Sequence, residues 1–251
     1  MKQVFAPVIS SCEVSPGVQL IWIEAPQIAS VAIPGQFVTV HCGEDVLLRR
    51  PFSIHRIDEG KLAILFAVVG QGTEWLSGRV EGESLSILGP LGNGFRIDQD
   101  SRNLLLVAGG IGIAPLVFLA EKAVAEGFFV RLMHGTATAS QYSPVMMEGV
   151  EYIRITEDGS TGEKGLVTDF LPAFALSADQ VFACGPVPMY RALSALEAQL
   201  RGKSVQILME QVMGCGVGAC MGCTVATGQG MKMVCRDGPA FDLREIEWEC
   251  Q

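Results

Sequence analysis

Positive charge is scarce in this chain. Of 251 residues only 18 are Lys or Arg, against 27 Asp or Glu, giving a net charge of −9 with no run of cations. A surface of that sign argues against nucleic acid and anionic membrane as partners. Histidine is rarer still: His41, His55 and His134 share no spacing, face no obvious nucleophile, and read as structural. No cleavable leader is expected either, since MKQVFAPVIS has no apolar core followed by a cleavage site. The one stretch that invites a membrane reading, LLLVAGGIGIAPLVFLA at 104–120, is short for a span and is interrupted by Gly109, Gly110, Gly112 and Pro115. A strand, a tight turn and a buried helix explain it better. There are no internal repeats and no low-complexity linker, so the domains are expected to abut.

What the chain has in quantity is apolar residues, 49%, and cysteines, eight. The first is enough for two compact domains or one large one. The second, without a secretion signal, points to a reducing, cytoplasmic compartment where thiols bind metals or do chemistry rather than pair. Residues 1–98 read as β: VQLIWIEA, GQFVTVHC, KLAILFAVV and ESLSILG are short, β-branched and punctuated by Pro and Gly, which predicts a small antiparallel barrel or sandwich. Residues 99–205 change rhythm. LLLVAGG, FFVRLMHG and DQVFACGP read as buried strands, IAPLVFLAEKAVAEG and PMYRALSALEAQL as helices, and this alternation predicts a parallel sheet. Residues 206–251 dissolve into Gly, Cys and Met, a tail too short for much core of its own.

That tail holds GCGVGACMGC, residues 214–223. Cys215, Cys220, Cys223 and Cys235 follow C-x4-C-x2-C with the last cysteine after eleven more residues, the plant-type [2Fe–2S] ligand spacing. Thiolates suit iron–sulfur clusters, and Gly214, Gly216, Gly218 and Gly222 let the backbone curl close enough to donate N–H groups to sulfur. The alternative is a structural Zn(Cys)4 site, but zinc ribbons use two CxxC pairs and this chain has one.

Four further stretches carry ligand chemistry. In RRPFSIH, Arg50 and Ser53 sit on an extended segment, where a guanidinium can grip a diphosphate and a small hydroxyl can approach a ring heteroatom. VVGQGTEWLSG follows with a Gly-x-Gly turn and a short helix that Thr73 could cap, a helix start suited to phosphate. LLLVAGGIGIAPL lacks the G-x-G-x-x-G fingerprint but uses the same mechanics. A buried strand runs into Gly109, Gly110 and Gly112, where backbone can approach a pyrophosphate, and Pro115 suits a first helical turn. VFACGPVPM places Cys184, Gly185 and Pro186 at a strand's carboxyl end, where open α/β sheets bind ligands; for Cys184 a small buried hydrophobe is the other reading.

With RPFS, GGIGIAP and CGPVPM in this order, the chain resembles the ferredoxin–NADP reductase-like flavoproteins over essentially its whole length. The cysteine-bearing tail resembles that of the electron-transfer subunits serving NAD-dependent dihydroorotate dehydrogenases. The resemblance implies an FAD-binding barrel, a nicotinamide domain and a small [2Fe–2S] domain. It implies FAD contacts from Arg50, Pro51, Phe52, Ser53, Leu65, Phe66, Ala67, Gly72 and Thr73, and cluster ligation by Cys215, Cys220, Cys223 and Cys235. NADH would stack on FAD with Cys184 beside the nicotinamide as the catalytic residue, while Gly109, Gly110, Gly112, Pro115, Gly185 and Pro186 hold the dinucleotide. Electrons would pass through the cluster to a separate FMN-containing catalytic subunit, two copies of each forming a heterotetramer in pyrimidine biosynthesis. Phe52 stands where many reductases of the wider family have Tyr. HGTATASQ, after the second nucleotide-domain strand, has no Arg or Lys for a 2′-phosphate, which favours NAD. Rival readings are a like-built subunit of a hydrogenase, a sulfide dehydrogenase or a bifurcating ferredoxin–NADP reductase, and a zinc-stapled module with no enzymatic role. Cys12, Cys42 and Cys250 have no assigned part.

Overall fold

A computed structural model of the chain describes residues 1–142, 147–200 and 202–250. The N-terminal part is a closed barrel of β1 (Lys2–Ser15), β2 (Val18–Glu24), β3 (Phe37–Val40), β4 (Arg50–Asp58), β5 (Lys61–Ala67) and β6 (Ser84–Leu91). Its strand order is β1-β2-β5-β4-β3-β6, with every pair antiparallel. Closure depends on β1. Lys2–Pro7 pairs with β6, the register slips between Val8 and Ser10, and the rest of the strand turns away to pair with β2. An irregularity of that kind lets one strand serve both edges of a curled sheet. Alternating residues such as Val8, Ile21, Ile23, Val38, Ile54, Ile64, Leu85 and Ile87 point inward and fill the barrel. Two short helices, α1 (Pro26–Ala29) and α2 (Gln71–Ser77), sit in its connections.

The second part is a seven-stranded sheet. In chain order come β7 (Asn103–Gly109), α3 (Ile113–Ala125), β8 (Phe129–Thr136), β9 (Val150–Thr156), β10 (Glu163–Lys164), α4 (Val167–Ala175), β11 (Gln180–Cys184), α5 (Val187–Ala195) and β12 (Ser204–Leu208). The tail adds a hairpin of β13 (Thr224–Thr227) and β14 (Gly230–Met233), then α6 (Val234–Asp237) and β15 (Ala240–Asp242). The sheet runs β10-β9-β8-β7-β11-β12-β15, all parallel except β15. LLLVA of β7 is buried on both faces, as expected for a central parallel strand.

Helix α3 joins the two parts. Nine of its thirteen residues are buried because one side packs on the sheet and the other on β4. His55 Nδ1 donates to the Ala114 carbonyl at 2.7 Å, and Arg56 Nε pairs with Glu121 at 2.8 Å, so the barrel is fixed to the helix by polar contacts as well as by packing. The expected boundary between residues 205 and 206 falls inside β12, and β15 extends the same sheet. The tail therefore borrows its core: Val225, Val234, Phe241, Leu243 and Ile246 pack in one cluster with Leu105, Val107 and Val181. Its acidic end forms β15 and short turns, with Trp248 against Tyr190. Among the described residues, no helix is long and apolar enough to cross a membrane.

Candidate functional site

The carboxyl edge of the parallel sheet opens into a cleft of about 590 Å³, with Gly109, Gly110, Gly112, Gly185 and Pro186 among its lining. The glycines are there for close approach. A Cβ on Gly112 would overlap the Cys184 carbonyl oxygen, and one on Gly109 would lie 2.9 Å from both Met189 Sδ and Pro186 Cδ. Gly110 has φ +55° and leaves its side open to the cleft. Its carbonyl accepts a hydrogen bond from His134 Nε2 at 2.8 Å. Because that oxygen can only accept, Nε2 carries the proton, and Nδ1 accepts from the Tyr152 hydroxyl at 2.7 Å. Burial lowers His134 to about 4, which keeps the ring neutral at physiological pH. His134 is thus structural, as expected, but it is also the post beneath the nucleotide loop.

Not every anticipated residue reaches the cleft. Pro115 is buried in the first turn of α3, behind the loop. Cys184 ends β11 with 2% exposure and lies below the cleft lining; burial pushes its thiol well above the usual range, and nearby Glu210 pushes in the same direction. Glu210 itself was missed by sequence reasoning. It follows β12 and lines both this cleft and a second cavity, open to solvent yet enclosed by protein on most sides, and burial raises its carboxyl. An acidic residue just past a strand's carboxyl end was the available signal, lost because β12 was not recognised.

The second cavity, about 460 Å³, lies between the barrel and segment 208–213, with Phe37, Pro51, Ser53 and Met213 among its lining. Arg50 and Ser53 of RPFS lie on opposite faces of β4. Ser53 lines the cavity, whereas Arg50, three residues away and of opposite parity on β4, packs against Gly72 and Cys42. A Cβ on Gly72 would stand 3.2 Å from Arg50 Cγ, so glycine lets the guanidinium stem lie flat against α2. Thr73 occupies the first turn of α2, where its hydroxyl accepts from the N–H groups of Val69 and Gly70 and donates to the Gly70 carbonyl. Phe52 and Phe66 are buried with ring centroids 5.2 Å apart, Leu65 is buried towards α3, and Ala67 is half-buried. The two phenylalanines brace the barrel wall rather than face the cavity.

The cysteines form two pairs. Cys220 N–H donates to Cys215 Sγ at 3.4 Å, and Cys235 N–H donates to Cys223 Sγ at 3.4 Å. Cys215 Sγ also accepts from Val217 and Ala219, at 3.4 and 3.2 Å. Partial burial pulls the Cys215 thiol up, but the three backbone donors outweigh it and bring the group down to about 6, so it is held as thiolate. Cys235 is pushed up to about 12 by burial and by Cys223 beside it, a crowding of sulfurs that a bound cation relieves. Among the described residues, no three Cys, His, Asp or Glu side chains converge on a single ion position. Cysteines in two pairs fit a two-iron cluster, two ligands per iron, better than one tetrahedral zinc. The cradle fits as well: a Cβ on Gly214 would meet Cys220 Sγ at 3.2 Å, and Gly216 lies against Thr39, whose buried Oγ1 has no partner.

Residues 210–247 match the family described as the iron-sulfur cluster binding domain of dihydroorotate dehydrogenase B. The chain is 42% identical over 218 residues to "Dihydroorotate dehydrogenase B (NAD(+)), electron transfer subunit" of Caldanaerobacter subterraneus subsp. tengcongensis, covering 85% of this chain and 86% of that one. The chain belongs to this family of electron transfer subunits. The Desulforamulus reducens protein of the same name is 38% identical across 99% of this chain and 100% of its own length. Among solved structures, an NADH-dependent reduced ferredoxin-NADP oxidoreductase studied for flavin-based electron bifurcation matches with a TM-score of 0.86 and 30% identity, over 98% of this chain and 91% of that one. A ferredoxin NADP+ reductase from Neisseria gonorrhoeae, at 14% identity and a TM-score of 0.66 over 80% of this chain and 92% of that one, shares the fold alone. The electron transfer subunit family and the reductase fold thus agree with the three-part architecture.

Proposed function

We propose that this chain is the NADH-oxidising half of a dihydroorotate dehydrogenase, working in the cytoplasm with a separate FMN-containing catalytic subunit, two copies of each. The observation that carries the reading is the loop of paired cysteines beside a cavity that Glu210 connects to the nucleotide cleft. When bound, FAD exchanges electron pairs with nicotinamide and single electrons with a [2Fe–2S] cluster, so it joins two otherwise incompatible chemistries. The chain's residues hold the centres in order. Gly110 and Gly112 present backbone to the NADH pyrophosphate, with Gly109, Gly185 and Pro186 shaping the same wall. Cys184 supports the nicotinamide end from beneath as a neutral thiol. Ser53 and Pro51 receive the flavin ring, while Arg50, Gly72 and Thr73 serve its diphosphate side. Cys215, Cys220, Cys223 and Cys235 hold the cluster. Eight free thiols suit a reducing compartment.

The catalytic subunit would dock at the cluster. Cys220 is exposed, and Val212, Val217 and Met221 on the same segment are 81%, 39% and 64% exposed, apolar surface suited to a protein partner. A bifurcating reductase subunit is the second reading, favoured by the 30% identical structure, but the dehydrogenase relatives stand at 38–42%. Anaerobically purified chain should show flavin and iron–sulfur absorption and bleach on NADH addition. In Cys220→Ser the cluster bands should vanish and delivery to the catalytic subunit should fall at least about a hundredfold, while NADH-to-dye reduction persists. A colourless protein, or zinc without iron and acid-labile sulfide, would refute the assignment.

A further inference from the structure

The nucleotide cleft crosses the carboxyl ends of five adjacent strands. Glu157 marks the β9 end, Thr136 and Ala137 that of β8, Gly109 to Gly112 that of β7, Gly185 and Pro186 that of β11, and Glu210 that of β12. Four inter-strand steps of about 4.8 Å make this a trench of roughly 19 Å, the scale of an extended dinucleotide. Its two ends differ. The Glu210 end opens into the second cavity, the flavin side on the reading above. The glycine loop, where backbone comes closest to a ligand, lies mid-trench. A dinucleotide with its nicotinamide towards Glu210 and its pyrophosphate on the loop therefore lays its adenosine ribose at the β8–β9 end.

At that end stands Glu157, exposed, with its main-chain N–H tied to the Thr136 carbonyl at 3.1 Å. The tie fixes the backbone and leaves the carboxylate at the cleft wall. Among the described residues lining the cleft there is no Lys or Arg. The cations closest to it in sequence are engaged elsewhere: Arg154 lies over the rings of Tyr142 and Tyr152, and Lys164 packs on Gly159 beside Asp158. Asp158 adds a second negative charge, its Oδ1 accepting from Ser160 N–H at 2.9 Å. A carboxylate at this point of an α/β sheet can accept from a ribose diol and has nothing to offer a phosphate but repulsion.

We propose that Glu157 is the residue by which this chain distinguishes NADH from NADPH, accepting hydrogen bonds from the adenosine ribose and repelling a 2′-phosphate. The inference rests on the NADH-oxidising function proposed above and adds the residue that sets its dinucleotide specificity. In wild type, 5′-AMP should bind measurably by calorimetry and adenosine 2′,5′-bisphosphate should not. Glu157→Gln should narrow that difference and shift the NADH-to-NADPH ratio of kcat/KM for dye reduction by about ten- to a hundredfold, chiefly through KM. Glu157 is exposed, so the variant should fold, and its flavin spectrum reports whether it has. If wild type oxidises NADH but Glu157→Gln shifts neither the fragment preference nor the ratio by more than about threefold, the specificity lies elsewhere and this inference fails. If wild type, with its flavin bound, oxidises neither dinucleotide, the functional reading fails first.

Discussion

The nucleotide loop and the cysteine loop are both rich in glycine, and they use it for opposite purposes. In the first, glycine removes atoms: a Cβ at 112 would overlap a backbone carbonyl of the neighbouring strand, which packing holds on both sides and which cannot retreat. In the second, glycine supplies backbone angles. Gly216 and Gly218 have φ of +72° and +81°, and the nearest obstacles to an added Cβ are side-chain atoms of Thr39 and Arg236. One loop is shaped by the apolar core beneath it and stands without its ligand. The other is shaped to aim N–H groups at sulfur, and the group it holds completes it.

The hardest test of that contrast is Gly112→Ala. The added methyl has no room without separating β7 from β11, so a loss of at least about 3 kcal/mol is expected in urea unfolding, with 5′-AMP binding abolished. A variant within about 1 kcal/mol of wild type would mean that the loop is as pliable as the cysteine loop, and the distinction would disappear.

Acid gives a comparable but graded effect. Burial holds His55 and His134 near 4, against an ordinary 6.5. Between those values the unfolded chain binds protons that the folded one refuses. Stability contributed by the neutral rings is therefore complete above pH 6.5 and is lost as pH falls towards 4, by about 3 kcal/mol per ring. Glu121 and Glu210, whose carboxyls burial raises, work in the opposite sense and blunt the slope. His134→Gln keeps a donor for the Gly110 carbonyl but cannot be protonated. Its unfolding free energy should fall less steeply than wild type between pH 6.5 and 4; equal slopes would show that His134 does not carry the effect.

Much of this was legible in the sequence. β-Branched runs with Gly and Pro breaks gave the barrel, the alternation after residue 101 gave the parallel sheet, and cysteine spacing gave the iron–sulfur domain, because each rests on a local periodicity or a fixed interval. β1 did not announce itself: its fourteen residues alternate imperfectly, since the strand changes partner midway and its inward face changes with it. β9 was obscured by its half-exposed, charged pattern VEYIRIT near the sheet edge. With β9 and β12 unread, the carboxylates that follow them, Glu157 and Glu210, had no reason to be noticed. Arg50 and Ser53 lie on opposite faces of β4, a difference that strand parity fixes and that the pairing of a guanidinium with a hydroxyl did not by itself specify. The tail's reliance on Leu105 and Val181 for its core is a long-range fact with no local signature.

Gly218→Ala asks least of the molecule and separates the two loops most finely. Its φ of +81° places an L-residue in the left-handed region, and the new Cβ would meet Arg236 Cδ at 2.9 Å. Arg236 is exposed and can swing aside, so the remaining cost is the dihedral, about 1–2 kcal/mol. That cost falls on the N–H that donates to Cys235 Sγ at 3.0 Å. Cys223 and Cys235 are 2% and 3% exposed and sit in the core shared with the sheet, whereas Cys215 and Cys220 stand nearer solvent. Loosening should therefore appear as roughly tenfold faster loss of iron to a chelator, with the unfolding midpoint of the barrel and sheet unmoved. If the whole chain melted earlier instead, the cysteine loop would prove to be built into the core as rigidly as the nucleotide loop, and its glycines would have to be read as packing devices too.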